Sequence, residues 1–482
     1  MAASMRTTCI VVLTSLVSAN GARPPTVSAQ TPTNDGQATQ SCDSLNMQLI
    51  AQTEGQREHT IAFGDTDHDG LNEIVIWIRP NNYRIIEHQG GNQYMVGYTG
   101  GALHPYAVGD PDQDGKSDLV GQVGSQVFVY ESQDHHSYPT ALVWSSMPIG
   151  NVAGHTALGD TDRDGHMELI HTPRGALYIY ENTGDNDYTL KYSAAAFNAN
   201  SEKVIADLDG DMLTDIAYGG IPGEVVVFEA TADDVWGLKW VDHTDLSNAD
   251  GVEGGMDTDG NGLPELFVTG NRLGDPTEPM VTYVYEAIGD DTYAAVDTLV
   301  TGLVSCCVSN SALGDLDGRV PPELMVMKDD PGSAVYFYRP TSIGQWTHIG
   351  TLQDAGYVNV YDLNGNGRME LVVGTLQSIR IYEHIPTATD TVLPATTRGR
   401  ILAYPNPVRT EATLVLPDHP EGLVWLSVFD VRGRLLRRTL LGDRALDRVP
   451  WTPEGLVVGV YLLQIEGSAG QVLATGRLLV AR

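Results

Sequence analysis

Residues 63 to 77 read FGDTDHDGLNEIVIW, and within them Asp65, Asp67, Asp69 and Glu73 crowd four carboxylates around Gly70. Alternate acids in a tight loop turn several oxygens towards one centre, and the glycine permits the sharp backbone turn. Hard cations, calcium above all, take about six to eight such oxygens. The backbone carbonyl of Leu71 would add another.

Six variants of the phrase follow, beginning at Asp110, Asp160, Asp207, Asp257, Asp315 and Asp362, with successive spacings of 45, 50, 47, 50, 58 and 47 residues. An EF-hand is excluded. Its loop needs Glu at the twelfth position between two helices, whereas Ile76, Gly121, His171 and Val268 stand there in loops one, two, three and five.

The segments around the loops read as strands. A short apolar run such as HTIAF or HTAL precedes each loop, and a β-rich run such as NEIVIWI or PELFVTG follows it. A third element comes next (RIIEH, FVYES, YIYEN, VVFEA, YVYEA, YFYRP, RIYEH), then a fourth, such as YMVGYTG or ALVWSSM. Four short strands in each of seven units at this period predict an all-β chain: a seven-bladed β-propeller over residues 45–386, followed by a small Ig-like β-sandwich. Unit seven lacks a fourth strand, and residues 47 to 53, MQLIAQT, are expected to supply it and so close the ring.

On these residues the chain resembles the FG-GAP or VCBS repeat family, the β-propellers of integrin α-subunit heads and of many bacterial surface proteins. The resemblance implies calcium in the hairpin between the first two strands of each blade. Carried over position by position, it implies Asp65, Asp67, Asp69 and Glu73 in loop one and Asp110, Asp112, Asp114 and Asp118 in loop two. Loop three supplies Asp160, Asp162, Asp164 and Glu168. Loop four supplies Asp207, Asp209, Asp211 and Asp215, with Met212 where glycine is usual. Loop five offers Asp257, Asp259, Asn261 and Glu265, and loop seven Asp362, Asn364, Asn366 and Glu370. Loop seven has two carboxylates and is expected to bind most weakly. In loop six, DLDGRVPPE, Arg319 stands at the fifth position; a guanidinium there replaces the ion by pairing with Asp315, Asp317 or Glu323. About five to six calcium ions are implied.

The remainder of the chain sets the context. The net charge is -34, with 28 basic residues against 62 acids, 24 of which lie in the loops. Nucleic acid is therefore excluded as a partner, because phosphate binding relies on Lys and Arg. Residues 1–22 read as a secretory signal peptide with cleavage after Ala19, and 23–44 as a linker; no transmembrane segment is expected in the mature chain. Of the cysteines left, Cys306 and Cys307 are adjacent, as a vicinal disulfide or as two buried thiols, and Cys42 is expected at the opposite face.

After a second linker at 387–400, residues 401–482 change composition and alternate strands with Pro and Gly turns. YPNP, VFDVRGRLLRR, GVYLLQIE and GRLLVAR occur in an order that resembles the type A C-terminal sorting domain of the type IX secretion system, related to FlgD-like immunoglobulin domains. That resemblance implies export through outer-membrane secretion machinery and an extracellular or outer-membrane-surface location.

No nucleophile elbow, Walker loop or HExxH pattern is present. The leading expectation is a non-catalytic adhesion or recognition module for an extracellular glycan or protein. The alternative is a lyase-like polysaccharide-processing enzyme, with His135, His136, Tyr83, Arg84 and Arg272 as candidates by residue type alone.

Overall fold

A computed structural model describes residues 45–385, leaving out 55–60, 80–81, 135, 150–154, 259–262, 273–277, 305–309, 318–320, 329–331, 343–344, 365–368 and 376, together with strands between 399 and 480. Positions 1–44, Asp259, Asn261, Arg319, Asn366, Cys306, Cys307 and His135, to which expectations were attached, lie outside the described residues. Every regular element among the described residues is a β-strand.

Unit one pairs Ile61–Gly64, Glu73–Ile78, Asn82–His88 and Tyr94–Gly100 in sequence order as an antiparallel sheet. The same order recurs in the sheets starting at His104–Gly109, Leu246–Met256 and Ser311–Gly314. Each acidic loop lies between the first two strands of its unit. The strand Met47–Glu54 pairs antiparallel with Ser378–His384, so it supplies the fourth strand of unit seven across more than three hundred residues of chain.

Units three and four depart from the expected pattern. Asp187–Ala206 is one 20-residue strand that ends unit three and begins unit four, giving a seven-stranded sheet. The run AAAFNANSEKV contains neither Pro nor Gly to break the chain. The pairing register instead shifts between Ala199 and Lys203, and such an irregularity bends a strand without ending it.

The core lies between successive sheets. Val120, Val127 and Val129 of unit two pack with Leu169, Tyr180 and Tyr188 of unit three. Ile74, Ile76 and Ile86 of unit one pack with Val372, Ile379 and Ile381 of unit seven. Because both faces of each sheet are covered, second strands such as Glu73–Ile78 are apolar nearly throughout and buried on both sides.

The C-terminal residues form a five-stranded and a three-stranded sheet. Leu426 and Val428 alternate inward on Val424–Asp430, as Tyr461, Leu463 and Ile465 do on Gly459–Glu466.

Candidate metal centres

Each loop is organised around its ninth residue. Glu73, Asp118, Glu168, Asp215, Glu265, Glu323 and Glu370 are all 2% exposed or less. In six loops one oxygen of this acid accepts the amide of the second loop residue: Thr66 to Glu73 at 2.7 Å, Thr161 to Glu168 at 2.5 Å, Leu208 to Asp215 at 2.8 Å, Thr258 to Glu265 at 2.6 Å, Leu316 to Glu323 at 2.8 Å and Leu363 to Glu370 at 2.7 Å. Thr66, Thr161 and Thr258 add their hydroxyls to the same oxygen.

The first aspartate folds the loop over itself. Asp110 accepts the amides of Asp114 at 3.1 Å and Gly115 at 3.0 Å, and Asp65 those of Asp69 at 3.2 Å and Gly70 at 3.0 Å. The turn needs a left-handed residue at its sixth position: Gly70, Gly115 and Gly165 have φ of +89°, +89° and +97°. In loop four Met212 takes that place at φ +76°, a conformation unfavourable for any side chain with a Cβ.

Several carboxylate oxygens inside the loops are buried without a hydrogen-bond donor: both of Asp118, Oε1 of Glu73 and of Glu168, and Oδ1 of Asp67 and Asp160. Asp160, Asp162, Asp164 and Glu168 bring ligand atoms within 4.8 Å of one another, as do Asp65, Asp67 and Glu73. Burial, reinforced by neighbouring acids, pushes Glu73 and Glu168 up to about 8 and Asp118 to about 9. The same cause raises Asp215 and Glu370 to about 7. Crowded buried carboxylates of this kind are stable as anions only beside a cation. The acidic clusters can therefore hold metal ions, and their hard oxygen donors suit calcium or magnesium chemistry.

The loops also join neighbouring units. The middle aspartate accepts an amide from the hairpin between the third and fourth strands of the next unit: Asn186 to Asp112 at 2.8 Å, Asp234 to Asp162 at 2.7 Å and Asp291 to Asp209 at 2.8 Å. Lysines tie the same junctions. Lys191 lies 2.7 Å from both Glu181 and Asp234, and Lys239 lies 2.5 Å from Glu229 and 2.6 Å from Asp291.

A second layer of acids, with no signature in the loops themselves, backs the first. Glu131, Glu181 and Glu229 on the third strands stand directly opposite Asp118, Glu168 and Asp215. The third-strand phrases carry Glu at this place in every unit except six, where YFYRP has Arg339. The Arg339 guanidinium pairs with Asp317 at 2.9 Å and with Glu323. Loop six thus holds a built-in cation, delivered by Arg339 on a neighbouring strand. In loop seven Asn364 donates to Glu370 Oε1 at 2.7 Å, so two of its expected ligands satisfy each other. Loop five is described only in part, with Asp257 exposed and Glu265 buried.

The residues considered for lyase chemistry are dispersed. Tyr83 is buried against Gly100, with burial raising its hydroxyl's pKa, and Arg84 pairs with Glu54 at 3.7 Å. Arg272 pairs with Glu278 at 3.3 Å and Asp245 at 3.5 Å in another sheet. The His136 amide donates to the Asp67 carbonyl oxygen in a third.

Four-stranded antiparallel sheets that pack face to face in succession define a β-propeller. In solved structures the chain is similar to BBS1N in complex with ARL6DN, in a mercury-soaked crystal, with a TM-score of 0.50 and 13% identity over 72% of this chain and 98% of that one. A lead-soaked crystal of the same complex gives 0.48 and 14%, covering 71% and 98%. A protein of Agrocybe aegerita, described as a lectin specifically recognising non-reducing terminal N-acetylglucosamine, gives 0.41 and 18%, covering 61% and 80%. No protein-family model and no curated protein matches the sequence.

Proposed function

We propose that the chain is a secreted or cell-surface β-propeller of seven blades, stabilised by about five to six calcium ions, and that it acts as a non-catalytic recognition module for an extracellular glycan or protein. The observation that carries the calcium reading is the set of buried loop oxygens with no donor, above all the two of Asp118. A loop closed by protein alone would leave each of these unsatisfied, at a cost of about 1–3 kcal/mol or more. Calcium supplies the missing positive charge. The ligands would be the acids of loops one to four, Asp257, Asp259, Asn261 and Glu265 in loop five, and more weakly Asp362, Asn364, Asn366 and Glu370 in loop seven.

The seven-blade reading is supported by the seven first strands, which together line one central cavity, and by the packing of unit seven on unit one. Because the middle aspartates receive amides from the next unit, occupied loops would stiffen the junctions and hold the ring as one platform. Extracellular modules bind calcium at about 0.1–1 mM, so occupancy outside a cell would be structural.

Residues 1–22 and 401–482 would direct the chain outwards, the latter as an Ig-like type A sorting domain engaging outer-membrane secretion machinery. The four phrases in order support this, and so do the two small sheets within 399–480. No helix among the described residues is long and apolar enough to cross a membrane.

Incubation of the calcium-loaded protein with acidic and neutral polysaccharides, recording retention and released product together, tests the recognition reading. Retention without product is the expected result. Released product would make the protein an enzyme, and no retention of any member would redirect the search to protein partners.

A further inference from the structure

The first strands enclose a cavity of about 480 Å3 that the calcium loops do not explain. One side of its lining carries Tyr106, His155, Glu202, Lys203 and Glu253, contributed by units two to five. Phe63 and Tyr361, from units one and seven, complete it with rings stacked at 4.9 Å and 12°. A volume of this size accommodates a small organic molecule.

Lys203 differs from the other lysines. The sequence contains five, and Lys116, Lys191 and Lys239 are each clamped by two carboxylates that raise their pKa. Lys203 instead donates to the His155 carbonyl oxygen at 2.6 Å. That bond fixes the amine while leaving its lone pair free once a proton is lost.

We propose that Lys203 is a covalent binding site for a small aldehyde or ketone, held as an imine inside this cavity with its apolar or aromatic body against the Phe63–Tyr361 pair. The neutral Nζ adds to the carbonyl carbon while the carbonyl oxygen takes a proton from the Glu202 or Glu253 carboxyl. The carboxylate so formed takes back one Nζ proton, and the carbinolamine then loses its hydroxyl group and the other Nζ proton as water. One water is released for each carbonyl bound, and no electrons are exchanged.

The surrounding groups support this chemistry. Burial lowers Lys203 to about 7, so much of the amine is unprotonated at neutral pH. The surrounding strands likewise raise the pKa of half-buried Glu253 well above the ordinary carboxyl value and raise that of the more exposed Glu202, which favours the protonated form of each in this lining. Among the described residues, the other titratable groups of the lining are His155, Tyr106 and Tyr361; the buried His171 is lowered by burial and, where Lys203 is protonated, by its charge.

The test treats the full chain with benzaldehyde and sodium cyanoborohydride between pH 6 and 10, and maps the reduced adduct by peptide mass. The free-amine fractions predict Lys203 labelled at least about 1000-fold above Lys116, Lys191 and Lys239 at pH 7, with half-maximal yield near that pH. In Lys203→Arg this adduct disappears while the melting temperature confirms folding, and in Glu253→Gln the Lys203 adduct forms more slowly. Labelling of Lys203 no greater than that of the other three, or confined to pH above about 9, overturns the proposal on the native chain alone.

Discussion

Arg339 occupies, opposite Glu323, the place that Glu131, Glu181 and Glu229 hold opposite the last acids of loops two, three and four. Glu323 is fully buried and Arg339 largely so, with a side chain 17% exposed. Removing the guanidinium strands a buried charge, for which about 3–5 kcal/mol is the usual loss. Arg339→Ala is therefore expected to lower stability by about 3 kcal/mol, equally with calcium and with chelator, as measured by urea unfolding. A loss seen only in calcium would assign a metal to loop six.

Asp162 serves two purposes that one substitution separates. Its Oδ2 accepts the Asp234 amide across a unit boundary, and it belongs to the cluster with Asp160, Asp164 and Glu168. Asp162→Asn keeps an oxygen acceptor for that amide but removes a charge. Thermal melts are expected to match the native protein in chelator and to fall below it in millimolar calcium. Equal melts in both conditions would disconnect this loop from the metal.

Met212 sits where the other loops place glycine, at φ +76°. Met212→Gly relieves a left-handed conformation that costs about 1–2 kcal/mol, partly offset by greater chain entropy when unfolded. Net stabilisation of about 0.5–1 kcal/mol is expected in denaturant titration, while Gly70→Met in loop one should destabilise by a similar or larger amount.

His171 is fully buried, accepts or donates through Nδ1 with the Thr156 hydroxyl at 2.8 Å, and is lowered to about 3 by burial and the Lys203 charge. The unfolded chain takes up this proton near pH 6.5, but the folded chain only near 3. Its contribution to stability is complete above about 6.5 and is lost as the pH falls towards 3, by about 1.4 kcal/mol per pH unit. In calcium-saturated protein, His171→Leu is expected to flatten the pH dependence of stability between about 6 and 4; an unchanged slope would contradict the neutral buried imidazole.

Much of this architecture is legible in the sequence because both signals are local. The loop acids fall within nine residues of one another, and the strand phrases recur at a steady period. The Met47–Glu54 strand was also legible, since unit seven visibly lacked its fourth member. The junction bonds were not: Asn186, Asp234 and Asp291 reach loop acids 74, 72 and 82 residues away, and a turn residue's sequence carries no sign of such a partner. Arg339 is legible in YFYRP set beside six phrases with Glu, whereas the loop taken by itself offers only Arg319 as the cation. Lys203 has no local signature, because its surroundings arise only when strands from several units converge.

Counting bound calcium tests the account most directly. Equilibrium dialysis of the full chain against about 2 mM calcium, with metal analysis of the protein, should find about five to six ions per chain, falling by one in Asp118→Asn. Fewer than two ions, or a count unchanged by that substitution, would contradict calcium-filled loops as the basis of this propeller.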